Sequence, residues 1–226
     1  MVYPKNIIKV THGGRLQGTD EIWTIGYHYA GASNLETNNA FYAITEDDVE
    51  DIHTTFGTEW NNPDNRVPSK WELEWTKVAL IAPDGKYVPD SEPVEFIGLP
   101  LGGGFTGSYA PQLSTVVTII SSKPRDPGRY NRFYLPTAAI STADWEMTET
   151  ARSNIANNFA DYFISLNDFM SGLGSQFNVT LVVASAKGAG QANDAINLRV
   201  GGVIDTQRRR RNKLTENYSV SSLVAV

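Results

Sequence analysis

The side chains able to do chemistry are few, and their spacing is unhelpful to a catalyst. The chain has no cysteine, which removes thiol nucleophiles, disulfides and thiolate metal sites. Its three histidines are His12, His28 and His53, read as lying in a turn, a strand and a helix. None stands in a zinc spacing such as two histidines four apart around a glutamate. No G-x-S-x-G elbow and no Walker loop occurs, so neither common hydrolase pattern can be placed. The run Gly102, Gly103, Gly104, Phe105, Thr106, Gly107 matches the dinucleotide pattern G-x-G-x-x-G, which works by delivering a pyrophosphate to the N-terminus of the next helix. Here a β-branched run follows instead, so the stretch reads as a loop. Glu72 and Glu74 could be a glycosidase pair, since such pairs leave no local motif, although the same spacing describes a solvated strand. The acidic run 46–51 lacks the glycine and spaced oxygens of a calcium loop, and a helix N-terminus explains its charge. The expectation is no catalytic residue, no cofactor and no metal.

Arginine is the more informative residue. Arg208, Arg209, Arg210, Arg211 and Lys213 form a dense run, and Arg125, Arg129 and Arg132 a looser one beside Lys123. Adjacent guanidiniums repel, so they stay in water or meet an array of phosphates or carboxylates. These residues are therefore candidate contacts to nucleic acid or to an acidic neighbouring subunit. A separate aromatic set, Trp60, Trp71, Trp75 and Tyr87, could stack on sugar rings, although aromatics at such spacing also build cores.

The charge layout supports the subunit version. Residues 1–113 hold 7 basic against 16 acidic side chains, and residues 114–226 hold 12 against 9, within a net charge of −6. The halves are complementary, so an acidic face of one copy can meet a basic face of another. Overall acidity argues against a dedicated nucleic-acid binder, because phosphate affinity grows with the charges neutralised. No stretch approaches the length of a membrane span, and the first residues lack a secretory h-region. A soluble chain with no membrane partner is expected.

The elements that must position these groups read as mainly β. Ile8, Val10 and the run 22–29 alternate around Gly13 and Gly14, giving strand, turn, strand. Thr45 followed by three acids predicts a helix start, and Val49, Ile52, Phe56 and Trp60 form its apolar face. Trp71, Leu73 and Trp75 begin a strand that runs to Ile81. Pro83 to Lys86 is a turn, and a hairpin strand returns from Lys86. Gln112–Ile120 is continuously β-branched and reads as a buried strand paired with Tyr130–Leu135. Ala151, Ile155, Phe159, Tyr162, Phe163, Leu166 and Met170 define a second helix, ended by Gly172. Strands at 177–186 and 195–204 flank a glycine loop. Two helices cannot cover both faces of a parallel sheet, so the expected fold is an antiparallel, jelly-roll-like β-sandwich with two helices alongside, α+β being the alternative. The chain reads as one domain, 1–226, with an irregular Gly-rich segment near 99–110.

The strings QLSTVVT (112–118), GRYNRFYLP (128–136) and VIDTQRRRRNKL (203–214), with KVTHGG (9–14) and EIW (21–23), resemble a group of uncharacterised proteins from environmental viruses, many of them phage-like. The resemblance spans most of the chain, and its motifs carry no known chemistry. It implies a virion structural protein, such as a capsid or other particle component, assembled in the host cytoplasm from copies of itself and other virion proteins. Many small jelly-roll capsid proteins carry a basic N-terminal arm; this N-terminus has only Lys5, Lys9 and Arg15, leaving the Arg208 run as the concentrated contact to a genome. A carbohydrate- or receptor-binding module of a virion is the alternative role.

Overall fold

The computed structural model describes residues 6–29, 33–107, 112–122, 129–138, part of 150–166, 178–187, 191–192, 195–200 and 218–219. The architecture is mixed: an antiparallel four-stranded sheet with helices on one face, and a six-stranded sheet beyond it.

The first sheet is built from β1 (Ile7–Leu16), β2 (Ile22–Tyr29), β3 (Trp71–Ile81) and β4 (Val94–Gly102), in the order β2-β1-β3-β4. Every pairing is antiparallel. Alternation decides the inward face: Ile8, Val10, His12, Ile25, Tyr27, Thr76, Val78 and Leu80 are all buried. Gly13 and Gly14 are not the turn expected from the sequence. They lie inside β1, and the chain reverses at 17–20, where Gly18 takes a φ of 75°. The two glycines mark a bulge instead. Gly13 pairs with Trp75 and Gly14 with Leu73, so Glu74 is the extra residue.

Two helices precede β3. The second, α2 (Glu46–Trp60), follows the sequence closely. Thr45 caps it, its hydroxyl accepting from the Asp48 amide while the Asp48 carboxylate accepts from the Thr45 amide. Val49, Ile52, Phe56 and Trp60 are buried against the sheet. The first, α1 (Asn34–Tyr42), was not expected. Its apolar residues share no face: Phe41 is buried while Leu35 and Tyr42 are exposed, so no helical stripe exists to be read. A third helix, α3, lies within 150–166, and its Ala151, Ile155, Phe159, Tyr162 and Leu166 all join the core. Phe163, Met170 and Gly172 lie outside the described residues. No helix among the described residues is long and apolar enough to cross a membrane.

The turn at Pro83–Lys86 forms, with Gly85 at a φ of 84°. The returning strand shrinks to a single bridge, Ile81 to Tyr87, and the true partner of β3 is β4. Residues 99–102 complete β4, and 103–107 run on with one bridge, Phe105 to Pro68. The glycines there serve close backbone packing: a Cβ on Gly104 would fall 1.9 Å from the Asn61 carbonyl oxygen. Their amides are taken by protein carbonyls, Gly103 donating to Trp71 and Gly104 to Trp60.

The second sheet comprises β5 (Gln112–Ser122), β6 (Arg129–Ala138), β7 (Asn178–Lys187), β9 (Ala195–Val200) and β10 (Tyr218–Ser219), in the order β10-β9-β7-β5-β6, with β8 (Gln191–Ala192) beside β7. β5 pairs antiparallel with β6, as the sequence suggests. β6 continues through Pro136, a residue tolerated there because β6 lies at the sheet's edge. Its far end is clamped to the first sheet's connection. The Ala138 amide donates to the Arg66 carbonyl, and Arg66 Nε donates back to the Ala138 carbonyl at 2.7 Å.

Replacing Thr45 by Ala removes the N-cap of α2 and is expected to lower unfolding free energy by about 1 kcal/mol. Urea denaturation of the two proteins, with unchanged slope, checks it.

Candidate functional site

Where β1, β3, α2 and α3 meet, the core is polar. His12, on the inward face of β1, is fully buried. Its Nδ1 lies 2.8 Å from the Thr76 hydroxyl of β3. Its Nε2 lies 2.7 Å from the Tyr27 hydroxyl and 3.0 Å from that of Tyr162. The two tyrosine hydroxyls touch each other. His53, from α2, reaches the same Thr76 oxygen with its Nδ1 at 3.0 Å. Phe56 stacks flat on the His12 ring, with centroids 3.7 Å apart and planes 6° apart.

Local sequence explains each placement. His12 continues the inward alternation Ile8, Val10. Thr76 continues Leu80, Val78 on the neighbouring strand and is its direct partner in register. His53 sits one turn after Val49 and three residues before Phe56, on the buried stripe of α2. Three elements far apart in sequence thus deliver two imidazoles and a hydroxyl to one point.

The electrostatics follow from burial. Desolvation holds the His12 pKa well below the usual imidazole value, and the nearby His53 lowers it further. Burial also lowers the His53 pKa, and it pushes the Tyr162 phenol well up. Both rings are therefore neutral at pH 7, as is the phenol. A hydroxyl has one proton to give, so Thr76 donates to at most one of the two Nδ1 atoms. The arrangement that satisfies all three groups has one imidazole donating to Thr76 Oγ1 and the other accepting from it. Tyr27, Tyr162 and Thr76 occupy both nitrogens of His12, so the ring is sealed within the fold.

Beside this cluster a shallow groove of about 190 Å³ runs between α2 and α3, lined by Asp51, Ile52, Thr55, Tyr162, Ser165 and Leu166. Among the described residues no helix lies on the sheet's other face. Lys9, Thr11, Gly13, His28, Trp75, Lys77, Glu95 and Ile97 fall there by register. His28 is exposed. The Trp75 indole covers Gly13, where a Cβ would fall 2.1 Å from the ring. Lys77 pairs with Glu95 at 3.1 Å, and Arg15 with Glu74 at 3.3 Å.

The residues singled out from sequence scatter across this frame. Glu74 is the bulge residue tied to Arg15, and the Glu72 carbonyl accepts from the Trp23 indole. Trp60 is fully buried and stacked on Trp23, Trp71 packs at the core's margin, and Tyr87 is exposed beyond β3, so the four aromatics form no common platform. Arg129 and Arg132 pair in register with Ser121 and Thr118. Arg125, Arg208, Arg209, Arg210, Arg211 and Lys213 lie outside the described residues. Among the described residues no cluster of three or more His, Asp or Glu side chains is placed to hold a metal ion. A turn at Gly13 and Gly14 would end β1 before His12; the unbroken alternation of residues 8, 10 and 12 is the sequence signal that carries His12 inward, while its meeting with His53 has no local signal.

No family model matches the chain, and neither a curated protein nor a solved structure matches it.

Two outcomes follow from the cluster. Thr76→Val keeps the shape but strands two buried imidazole nitrogens, and is expected to cost roughly 2–6 kcal/mol in denaturant unfolding, at about 1–3 kcal/mol per orphaned group. On acidification, the unfolded chain takes up protons at these histidines below about pH 6.5 while the folded protein resists. Stability is thus unaffected by them above that value and falls as pH drops below it, by at most about 1.4 kcal/mol per pH unit for each ring. Unfolding midpoints from pH 7.5 to 5.5 should fall for the wild type and flatten in His12→Phe.

Proposed function

We propose that the chain is a self-assembling structural subunit, a component of a virus particle, that works through contacts between copies rather than by catalysis. The observation that carries this reading is the outer strand β4, which has no strand partner beyond it among the described residues. Ile97 and Leu99 stand there 72% and 90% exposed, while the convergent polar groups of the interior are neutral and spent on one another. An outer strand with large aliphatic side chains in water is a template for association. The unequal charge of the two halves of the chain supports contacts between unlike faces.

Assembly in a host cytoplasm and incorporation into a virion belong to this proposal through the resemblance of the strings at 112–118, 128–136 and 203–214. So does the role of Arg125, Arg129, Arg132, Arg208 to Arg211 and Lys213 as contacts to a neighbouring subunit or a genome. The finer architecture that accompanies it is a jelly-roll-like sandwich with the six-stranded sheet as second layer. Antiparallel pairing and the course of β6 beside β2 support that arrangement.

A second reading, a sugar- or receptor-binding module, draws on Trp75 alone among the four aromatics first considered, since it lies on the helix-free face over Gly13. Light scattering and negative-stain micrographs of the purified protein separate the two. Subunits are expected to form rings or particles as concentration rises. A monomer at every concentration, with glycan binding abolished by Trp75→Ala, would overturn the assembly reading.

A further inference from the structure

The two broad faces of the first sheet differ in chemistry. On the helical side, α2 carries Glu46, Asp47, Asp48, Glu50, Asp51 and Glu59 and no basic residue. Two such faces brought together repel, so a symmetric contact through the helices is disfavoured. On the helix-free side Arg15 and Lys77 are balanced by Glu74 and Glu95, and Lys9 adds a cation with no acid beside it among the ion pairs of the described residues. The unlike faces are electrostatically compatible, whereas the acidic one is incompatible with itself.

Shape points in the same direction. On β4, Ile97 pairs with Trp75 and Leu101 with Leu73, so Gly98, Leu99 and Pro100 arch out of the ladder. The chain passes close over His53 at the start of the arch: a Cβ on Gly98 would lie 2.9 Å from His53 Nε2. Pro100 stiffens the far side. Leu99 is thereby held out as a knob. The groove between α2 and α3 is its counterpart, with Ile52 and Leu166 buried along it and Asp51, Thr55 and Ser165 at its polar margin. Ligand pockets usually exceed about 300 Å³, and an apolar cavity of about 150 Å³ holds a benzene-sized group. At about 190 Å³ the groove has the capacity of a side chain.

We propose that the helix-free face of one copy docks on the α2–α3 face of the next, with Leu99 seated in the groove and Lys9 facing the acids of α2. This rests on the reading of the chain as a self-assembling subunit and specifies its contact. The association is head to tail, so an open array keeps one unused knob at one end and one unused groove at the other, and it grows until it closes into a ring.

Mixing two assembly-defective variants tests it. Leu99→Asp removes the knob, and Ser165→Trp at an exposed position fills the groove; Thr55→Trp is the second groove variant, and circular dichroism melts confirm that each is folded. By light scattering each variant alone should be monomeric, and an equal mixture should stop at dimers, since one intact knob meets one intact groove. If the wild type assembles and both folded groove variants assemble as it does, the docking site is wrong while the assembly reading stands. Monomeric variants whose mixture gives no dimer also overturn it. A wild type that never assembles overturns both.

Discussion

Two imidazoles share one hydroxyl in the centre of this fold, and most of the architecture is constrained by that fact. A buried polar group without a partner costs more than a made hydrogen bond returns. His12, Thr76 and His53 are therefore tolerable only if β1 and β3 hold their register and α2 lies at one rotation about its axis. A slip of one residue between the strands would turn Thr76 to the open face and leave both rings unsatisfied. The tyrosines extend the same demand to β2 and to α3, because Tyr27 and Tyr162 must both reach His12 Nε2. Aliphatic packing alone tolerates alternatives; this cluster selects among them.

The same interior shapes the surface. Gly98 lets β4 pass close over His53, where a side chain would clash, and the arch beside it leaves Leu99 in water. The bulge at Glu74, made possible by two glycines on β1, twists the opposite side of β3 and sets Trp75 over Gly13. Burial, chain geometry and exposed chemistry are thus one connected arrangement. Its working parts, on the proposed reading, are the outsides of elements whose insides are fixed by the histidine cluster.

Legibility in the sequence followed the strength of local pattern. The cap and stripe of α2, the stripe of α3, the alternation of β3 and the pairing of β5 with β6 were readable, since each is written in neighbouring residues. The helix α1 was not, because Leu35, Phe41 and Tyr42 point different ways around its axis. The partner of β3 was misplaced because the turn at Asp84 and Gly85 is genuine, yet the strand after it lasts for one bridge. The bulge at Gly13 and Gly14 reads as a turn from sequence, since glycine pairs serve both purposes and only the partner strand distinguishes them. That single misreading hid His12, and with it the convergence on Thr76. Contacts between residues 12, 53, 76 and 162 depend on tertiary geometry that no local pattern encodes.

Both rings are neutral at pH 7 and complementary in their protonation, and His12 is closed off within the fold. Nitrogen-15 correlation spectra of the imidazoles report it directly. Slowly exchanging signals are expected for His12, with no titration between pH 7.5 and 5.5 while the protein stays folded, and with Nδ1 protonated on one of His12 and His53 and bare on the other. A His12 ring that titrates near the value of a free imidazole and exchanges its proton rapidly with water would contradict it.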